Sequence, residues 1–260
     1  MSVMQDSNVV KEQYKNGVNL QTRISIHEKY SVNKKGFGNW IFEHYTINEK
    51  YRILELGCGN GDMWRNHIND IPKETTLILT DFSKGMLSEA KTNIPQSDNI
   101  LFKQVDIQNI PFNDDSFDII IANMMLYHVP DLNKALSEIK RVLKNEGTFY
   151  CATYGEHGIA GYIQDLLNDY GVDKNLNKVF TLQNGEEILD KHFSSIQRSI
   201  YEDHLEVTNT EDLIEYVFSL TSMIDFNKLS KDELRVILDN EKVAGKIIIP
   251  KEYGMFIVKK

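Results

Sequence analysis

The chain has 260 residues, of which 41% are hydrophobic and 26% are charged, with 15 Gly and 5 Pro. This composition is that of an ordinary globular protein, and it excludes a disordered, collagen-like or disulfide-scaffold chain. The net charge of −9 provides no broad basic field, so a nucleic-acid partner is disfavoured. The length predicts one α/β domain enlarged by insertions.

The cysteines and the longest apolar stretch bear on the cellular setting. Cys58 and Cys151 are the only cysteines and follow no metal-ligand or paired spacing. This predicts no disulfide, no metal site and a reduced, cytoplasmic setting. The longest apolar stretch, residues 119–129, is interrupted by Asn123 and His128. It is far shorter than the roughly 20 residues of a spanning helix, so no membrane partner is expected.

Short apolar runs alternate with helical patterns between residues 51 and 153, which predicts parallel strands joined by crossover helices. Five strands are expected there, over residues 53–56, 77–80, 100–105, 117–122 and 148–152. Ser83 and Asp131 are predicted to open the helices after the second and fourth strands. Outside this region the pattern predicts helices over 37–45, 159–170, 184–191, 213–218 and 234–238, and strands over 195–201 and 254–258.

Polar residues follow three of the predicted strands directly. Asp81, Asp106 and Asn123 close the second, third and fourth strands. Open α/β sheets bind their ligands at the carboxyl ends of parallel strands. We therefore expect a ligand site that brings these three side chains together.

A glycine loop follows the first strand and narrows the class of ligand. Gly57, Gly59 and Gly61 have the spacing G-x-G-x-G, which differs from the G-x-G-x-x-G of dinucleotide sites. Asp81 lies 20 residues beyond Gly61, where a carboxylate can accept hydrogen bonds from both ribose hydroxyls. That arrangement suits NAD and S-adenosylmethionine equally, so a nicotinamide oxidoreductase is one alternative. Asp106 favours S-adenosylmethionine, because an acid at this strand end can face an adenine amino group.

Four segments carry a family resemblance: ILELGCGNG at 53–61, LTDFSKGML at 79–87, DIQNIPFNDDSFDII at 106–120 and LYHVPDLNKALSEIKRVLKNEG at 126–147. In this order they resemble the motifs of class I S-adenosylmethionine-dependent methyltransferases, especially the group with quinone-biosynthesis and other small-molecule enzymes. The sequence departs from the family at 144–147, where Lys-Asn-Glu-Gly stands in place of a frequent Lys-Pro-Gly-Gly, and a turn is still compatible with it.

The resemblance implies a Rossmann-like seven-stranded sheet with helices on both faces, an antiparallel last strand and an added helical lid. It divides one methyltransferase domain into three parts. Residues 1–48 are expected to form an N-terminal helical lid, residues 49–153 the cofactor-binding core, and residues 154–260 the substrate-side helices and last strands.

The resemblance also assigns residues to the methionine part of the cofactor. Gly57 and Gly59 would let the loop backbone contact it, and Cys58 would touch it through its backbone while its side chain fills space. Glu55 would hold the loop and reach the amino group through water. Asn123 would lie near the methionine part and the transferred methyl group.

On the adenosine side, the resemblance implies that Asp81 binds the ribose and that Phe82 covers the adenine ring. Asp106 would accept a hydrogen bond from the adenine amino group. The backbone of Ile107 would complete adenine recognition.

The implied reaction is in-line methyl transfer to a small-molecule acceptor, which leaves S-adenosylhomocysteine as the product. An oxygen or carbon acid acceptor would also need a base, for which Tyr127 and His128 are the nearest candidates. Two alternatives stay open: an RNA, DNA or protein substrate, and a protein that binds S-adenosylmethionine without turnover. Tyr14 and Arg23 are open as well, since an arginine in the lid could meet the methionine carboxylate or simply lie on the surface.

Overall fold

The computed structural model describes residues 18–172, 176–220 and 229–260, with side chains from residue 22 onward. Within these residues, seven strands form one sheet. The strand order is β3-β2-β1-β4-β5-β7-β6. The first five strands are mutually parallel, and β7 runs antiparallel to both β5 and β6. The strands are β1 Arg52–Leu56, β2 Thr76–Asp81, β3 Ile100–Gln104, β4 Phe117–Ile121, β5 Leu143–Tyr154, β6 Ser195–Val207 and β7 Ile247–Lys259. The predicted fold class, including the antiparallel last strand, is confirmed.

Helices connect and flank these strands. They are α1 Val18–Tyr30, α2 Phe37–Glu43, α3 Asp62–Arg65, α4 Lys84–Asn93, α5 Leu132–Val142, α6 Ile159–Leu167, α7 Gly185–Asp190, α8 Thr210–Ser219 and α9 Lys231–Asn240. Short 3-10 turns cover Ile68–Asp70, Leu126–His128 and Asn168–Tyr170. No helix within the described ranges has the length and apolar character needed to span a membrane.

Side chains alternate between the two faces of the sheet, as the period of a strand requires. Leu54 and Leu56 pack with the inner stripe of α5 on one face. Ile53 packs on the other face with residues of α2 and α3, including the fully buried Trp64. The core of the sheet is therefore covered on both sides, which confirms the expectation of helices on both faces.

The two longest strands project beyond the rest of the sheet. β5 pairs with β7 only as far as Tyr154 opposite Tyr253, whereas β6 and β7 stay paired to Val207 opposite Ile247. We call the overhang, residues 202–207 and 247–252, the arm. Its apolar side chains pack with α1, α6, α8 and α9 in a separate hydrophobic cluster. Because β7 is antiparallel to β5, the arm rises from the carboxyl edge of the parallel strands.

A buried ion pair lies in the arm. Lys251 Nζ is 2.7 Å from Asp203 Oδ2, and the two side chains are only 1% and 0% exposed. Lys251 also donates to the hydroxyl of Ser31, and Asp203 Oδ1 accepts from the backbone amides of Asn33 and His204. These bonds fasten the segment after α1 to the arm.

Local sequence signals place most element boundaries. Ser83 and Asp131 accept hydrogen bonds from the amides of Met86 and Lys134, which confirms both as N-caps. Helix α2 stops at Glu43, so the prediction that it reaches residue 45 was too long. The α-helix predicted over 159–170 ends at Leu167 and continues as a 3-10 turn before Gly171, whose φ of 77° suits glycine.

The segment at 144–147 belongs to β5 and does not form the turn considered for it. Leu143 pairs with Phe117, and pairing resumes only at Thr148 opposite Ile119. Six residues of β5, 143–148, thus face three of β4, 117–119, so the strand bulges. Lys144 closes the bulge through a 2.7 Å ion pair with Asp118.

Candidate functional site

A cavity of about 480 Å³ opens at the carboxyl edge of the parallel strands. Its floor is built by the segments that follow β1 to β5, and its far wall by α1, α8 and β7. Ten of the eleven site residues named from the sequence line it: Gly57, Cys58, Gly59, Asp81, Phe82, Asp106, Ile107, Asn123, Tyr127 and His128. The exception is Glu55.

The glycine loop has the left-handed backbone that its sequence predicts. Gly57 and Gly59 have φ values of 76° and 56°, a region in which a side chain is strained. A Cβ on Gly57 would come within 2.9 Å of Met125, whereas a Cβ on Gly59 would meet nothing within 4 Å. The amide of Cys58 donates to the carbonyl of Thr80 over 2.8 Å and ties the loop to β2. Gly59 therefore presents bare backbone to open space beside the cavity.

The side chain of Cys58 is poorly suited to nucleophilic chemistry. Burial raises the pKa of its thiol, and the nearby carboxylates of Glu55 and Asp81 raise it further. A thiol that resists ionisation is a weak nucleophile. The role of Cys58 in filling space stays a prediction.

Glu55 lies behind the loop and does not line the cavity. Its carboxylate accepts a 2.5 Å hydrogen bond from the indole nitrogen of Trp64, and both side chains are buried. Burial raises the pKa of Glu55 to about 7, although the bond from Trp64 lowers it. The role of holding the loop stays a prediction, and Trp64 is a partner of Glu55 that the sequence reasoning missed.

Asp81 lies between the glycine loop and the start of α4. Its two carboxylate oxygens accept from the amides of Gly59, over 2.9 Å, and Ser83, over 2.7 Å. Burial raises the pKa of Asp81, while these backbone donors lower it. A carboxylate has about four acceptor positions, so positions remain for ribose hydroxyls. The ring of the adjacent Phe82 also lines the cavity and is 36% exposed.

Asp106 is held by a residue that the sequence reasoning did not single out. The backbone and side-chain nitrogens of Gln108 donate to Asp106 Oδ1 over 2.9 and 3.1 Å. Gln108 itself lines the cavity and accepts from the amide of Asp131 over 3.1 Å. Ile107, between them, is buried. The end of β3 is therefore fixed to the start of α5.

Asn123 lines the cavity, but both ends of its amide are bonded within the protein. Its nitrogen donates to the hydroxyl of Tyr45 over 2.7 Å, and its oxygen accepts from the amide of Ala152 over 3.2 Å. Asn123 consequently braces the ends of β4 and β5 against the segment after α2. Neither partner of Asn123 could be predicted from the sequence.

Tyr127 and His128 stand on the 3-10 turn after β4. Met124, just before the turn, has φ of 53°, an uncommon conformation for a residue with a side chain. The rings of Tyr127 and His128 are 4.5 Å apart between centroids, and Tyr154 is 4.8 Å from Tyr127. Asn177 fixes the turn by donating to the carbonyl of Tyr127. The two predicted bases therefore lie together on the cavity wall.

The far wall brings in residues that the sequence reasoning left out or left open. Arg23 and His27 come from α1, Tyr216 from α8 and Tyr253 from β7. Arg23 donates to the carbonyl of Ser219 over 2.5 Å, and the Tyr253 hydroxyl is 3.3 Å from His27 Nε2. We call Arg23, His27, Tyr216 and Tyr253 the acceptor end. Tyr14 falls outside the described residues.

His27 is neutral at physiological pH. Burial lowers the pKa of His27 to about 3, and the positive charge of Lys251 lowers it in addition. Its contacts are with rings: Tyr253 is 5.6 Å and Tyr216 6.4 Å away between centroids. In the described residues, no three His, Cys, Asp or Glu side chains are placed to hold a metal ion.

Comparison with known proteins identifies the core. Residues 54–151 match the family described as a methyltransferase domain. The ubiquinone/menaquinone biosynthesis C-methyltransferase UbiE of Rickettsia massiliae is 34% identical over 133 residues, which cover 47% of this chain and 52% of the relative. Residues 54–151 thus form a methyltransferase domain, and the seven-stranded sheet has the class I fold. The chain spans about half the length of the curated relatives it matches, so the methyltransferase domain is the shared part.

Solved structures share the fold of the methyltransferase domain at low sequence identity. A phosphoethanolamine N-methyltransferase 2 of Haemonchus contortus, solved with S-adenosyl-L-methionine, has a TM-score of 0.61 at 16% identity, covering all of this chain and 60% of that one. A Haloferax volcanii methyltransferase, in complex with the activator Trm112, has a TM-score of 0.56 at 15% identity and covers 96% of both chains.

The cavity of the methyltransferase domain fits S-adenosylmethionine, the cofactor of the class. Gly59 leaves room for close approach, and Asp81 and Asp106 place two carboxylates along one side. The loop and both acids are held by hydrogen bonds from within the protein, so the site is formed in advance.

Proposed function

We propose that this protein transfers a methyl group from S-adenosylmethionine to a small-molecule acceptor. The observation that carries the proposal is that one continuous cavity is lined both by the strand-end carboxylates and by the acceptor end. An acceptor bound there would lie next to the cofactor and out of bulk water. The quinone-related activity in the name of the Rickettsia relatives supports a small acceptor.

Binding of the cofactor is proposed to depend on the residues of the floor. The Gly57 to Gly59 backbone faces the methionine part, Asp81 the ribose hydroxyls, and the Phe82 ring the adenine. Asp106 and the Ile107 backbone complete the adenine pocket. Glu55 acts from behind, because its bond with Trp64 holds the loop in place. Asn123 lines the cavity beside the methionine part, and its bond with Tyr45 holds the end of β4 in place.

S-adenosylmethionine supplies an electrophilic methyl group on a sulfonium, so the chain has mainly to orient the acceptor atom in line with it. We propose that Tyr127 and His128 do this from the turn after β4. Where the acceptor is a hydroxyl or a carbon acid, one of them also receives its proton. The packing of Tyr127 against Tyr154 keeps the turn in a fixed position.

Calorimetric titration with S-adenosylhomocysteine tests the cofactor site, with NADH as the competing ligand. We expect S-adenosylhomocysteine to bind and NADH not to bind. Asp81→Asn should weaken binding by about tenfold or more, because one ribose hydroxyl then meets an amide N–H instead of an acceptor. Binding of NADH alone would overturn the proposal in favour of the oxidoreductase alternative.

Turnover is tested by measuring S-adenosylhomocysteine release during incubation with S-adenosylmethionine and a panel of phenols, carboxylates and amines. Release with a small acceptor is the expected result, and it should drop in His128→Gln. Release only with RNA, DNA or protein would instead favour a macromolecular substrate. Tight cofactor binding with no release from any of these would indicate a binding protein without turnover.

A further inference from the structure

The hydroxyl of Tyr216 is a polar group of the acceptor end that the fold itself does not use. Tyr216 belongs to α8, lines the cavity and is 5% exposed. Outside the helix, its hydrogen bond is made by its backbone carbonyl, which accepts from the hydroxyl of Ser219. Within the described residues the Tyr216 hydroxyl has no partner. Buried hydroxyls are usually bonded, because leaving one without a partner costs the free energy of its lost hydration.

Neighbouring polar groups of the cavity wall are bonded within the protein or sealed from solvent. The hydroxyl of Tyr253 is 3.3 Å from Nε2 of His27, and the hydroxyl of Tyr154 donates to the carbonyl of Asn177. Nδ1 of His27 has no partner, but it is sealed in the protein. The unbonded hydroxyl of Tyr216 is not sealed in this way, so a ligand in the cavity can reach it.

The Tyr216 hydroxyl is suited to act as a hydrogen-bond donor. Burial raises the pKa of Tyr216 to about 12, so the group keeps its proton at neutral pH. A tyrosine hydroxyl can donate and accept, but buried donors without a partner are rarer in proteins than unused lone pairs. A ligand that offers an acceptor atom would therefore satisfy the part of the group that most needs a partner.

Apolar residues line the same side of the cavity. They are Ile24 of α1, Phe37 of α2, Ile159 of α6 and Leu220 after α8. Small-molecule sites commonly combine an apolar lining with a few polar groups that fix the orientation of the ligand. The far wall has this character, with the Tyr216 hydroxyl as an orienting group.

We propose that Tyr216 determines specificity for the methyl acceptor by donating a hydrogen bond to an oxygen, such as a carbonyl, on an otherwise apolar molecule. The inference rests on the proposed function and deepens it by naming the class of acceptor. Tyr216 binds and orients the acceptor from the far wall and takes no part in the methyl transfer.

The test uses acetophenone and α-methylstyrene, which have nearly the same shape. Acetophenone has a carbonyl oxygen where α-methylstyrene has a methylene group, so acetophenone alone can accept the bond. Their dissociation constants are measured by NMR titration of the full chain loaded with S-adenosylhomocysteine. Tyr216→Phe should weaken acetophenone binding about fivefold and leave α-methylstyrene binding nearly unchanged. An equal loss for both probes, or no loss for either, would overturn the inference.

Tyr162→Phe is the matched control. Tyr162 lies on α6, packs against the hydrophobic cluster of the arm and does not line the cavity. This substitution should leave the affinity for both probes unchanged, and an effect equal to that of Tyr216→Phe would contradict the role of Tyr216. Since the Tyr216 hydroxyl has no partner in the described fold, Tyr216→Phe should not lower the free energy of unfolding. A loss of stability would show that the hydroxyl is bonded within the protein, and would overturn the inference.

A spectroscopic measurement reports the hydrogen bond itself. Acetophenone labelled at its carbonyl carbon is bound to the wild-type protein and to Tyr216→Phe. A hydrogen bond draws electron density from the carbonyl, so the carbon resonance of the bound probe should lie at higher frequency in the wild-type protein. The same frequency in both proteins would overturn the inference, and so would failure of acetophenone to bind at about 5 mM, a concentration that captures even weak ligands.

The two proposals fail in different ways. If S-adenosylhomocysteine does not bind, the proposed function fails. If it binds and the affinity for acetophenone does not depend on the Tyr216 hydroxyl, the proposed function stands and the assignment of the acceptor class fails.

Discussion

A methyl group added at Gly59 should damage ligand binding far more than folding. At φ of 56°, an alanine pays the cost of the left-handed region, about 1 to 2 kcal/mol, and regains about 0.4 to 1 kcal/mol from a less flexible unfolded chain. The net loss of about 1 kcal/mol lowers the melting temperature by about 2 to 4 °C for a chain of this size. The added Cβ meets no protein atom within 4 Å, so no clash adds to that loss.

The same Cβ would occupy the space through which we propose that the cofactor approaches the backbone of the glycine loop. We therefore expect Gly59→Ala to weaken S-adenosylhomocysteine binding by more than about tenfold, equivalent to about 1.4 kcal/mol. Calorimetry and thermal unfolding, run on the same samples, separate the two effects.

The matched control is Gly245→Ala. Gly245 also has a positive φ, of 78°, and open space at its Cβ, but it lies in the turn before β7 and does not line the cavity. It should lose similar stability and keep wild-type affinity. If Gly59→Ala binds S-adenosylhomocysteine as tightly as Gly245→Ala, the glycine loop does not approach the ligand as we propose.

Three further predictions concern stability. Because the pKa of Glu55 is raised to about 7 in the fold, its contribution to the free energy of unfolding is complete below its ordinary pKa of 4.5 and is lost as pH rises through about 7. Urea unfolding at several pH values should show this decline. Glu55→Gln should make the free energy of unfolding less dependent on pH, and an unchanged dependence would contradict the prediction. Lys251→Met should lower the free energy of unfolding by about 3 to 5 kcal/mol, because the buried carboxylate of Asp203 then has no cation beside it. In chemical unfolding, the double variant with Asp203→Leu should recover much of that loss, and no recovery would contradict this cause. Asp131→Ala should cost about 1 kcal/mol in the same assay by removing the cap of α5, and a loss below the error of the measurement would show that the cap is dispensable.

The sequence predicted the parts of the fold that depend on local patterns. The strands from β1 to β4 follow from short apolar runs, and the caps at Ser83 and Asp131 from residue type and position. The ligand edge could be anticipated because Asp81 and Asp106 close parallel strands, and such ends always share one edge.

Features that depend on distant pairing could not be read in the same way. His27 and Tyr253 are 226 residues apart, and they meet only because the arm carries β7 past the end of β5. The partners of Glu55 and Asn123 illustrate the same limit, since a buried carboxylate or amide does not specify which donor satisfies it. Nothing in the sequence distinguishes Lys251 from an exposed lysine, because its partner Asp203 lies opposite it only once β6 and β7 pair.

The position of β7 has a consequence for how the chain is made. This strand is synthesised after β6, yet it lies between β5 and β6 in the sheet. Until residues 247–259 leave the ribosome, one edge of β5 and the whole of β6 have no partner, and Lys251 is not there to neutralise Asp203. Unpaired strand edges invite association with other chains, so the nascent protein passes through a stage at which it needs protection. The pairing of β7 with β5 and β6 removes these unpaired edges and, by bringing in Tyr253, also completes the acceptor end.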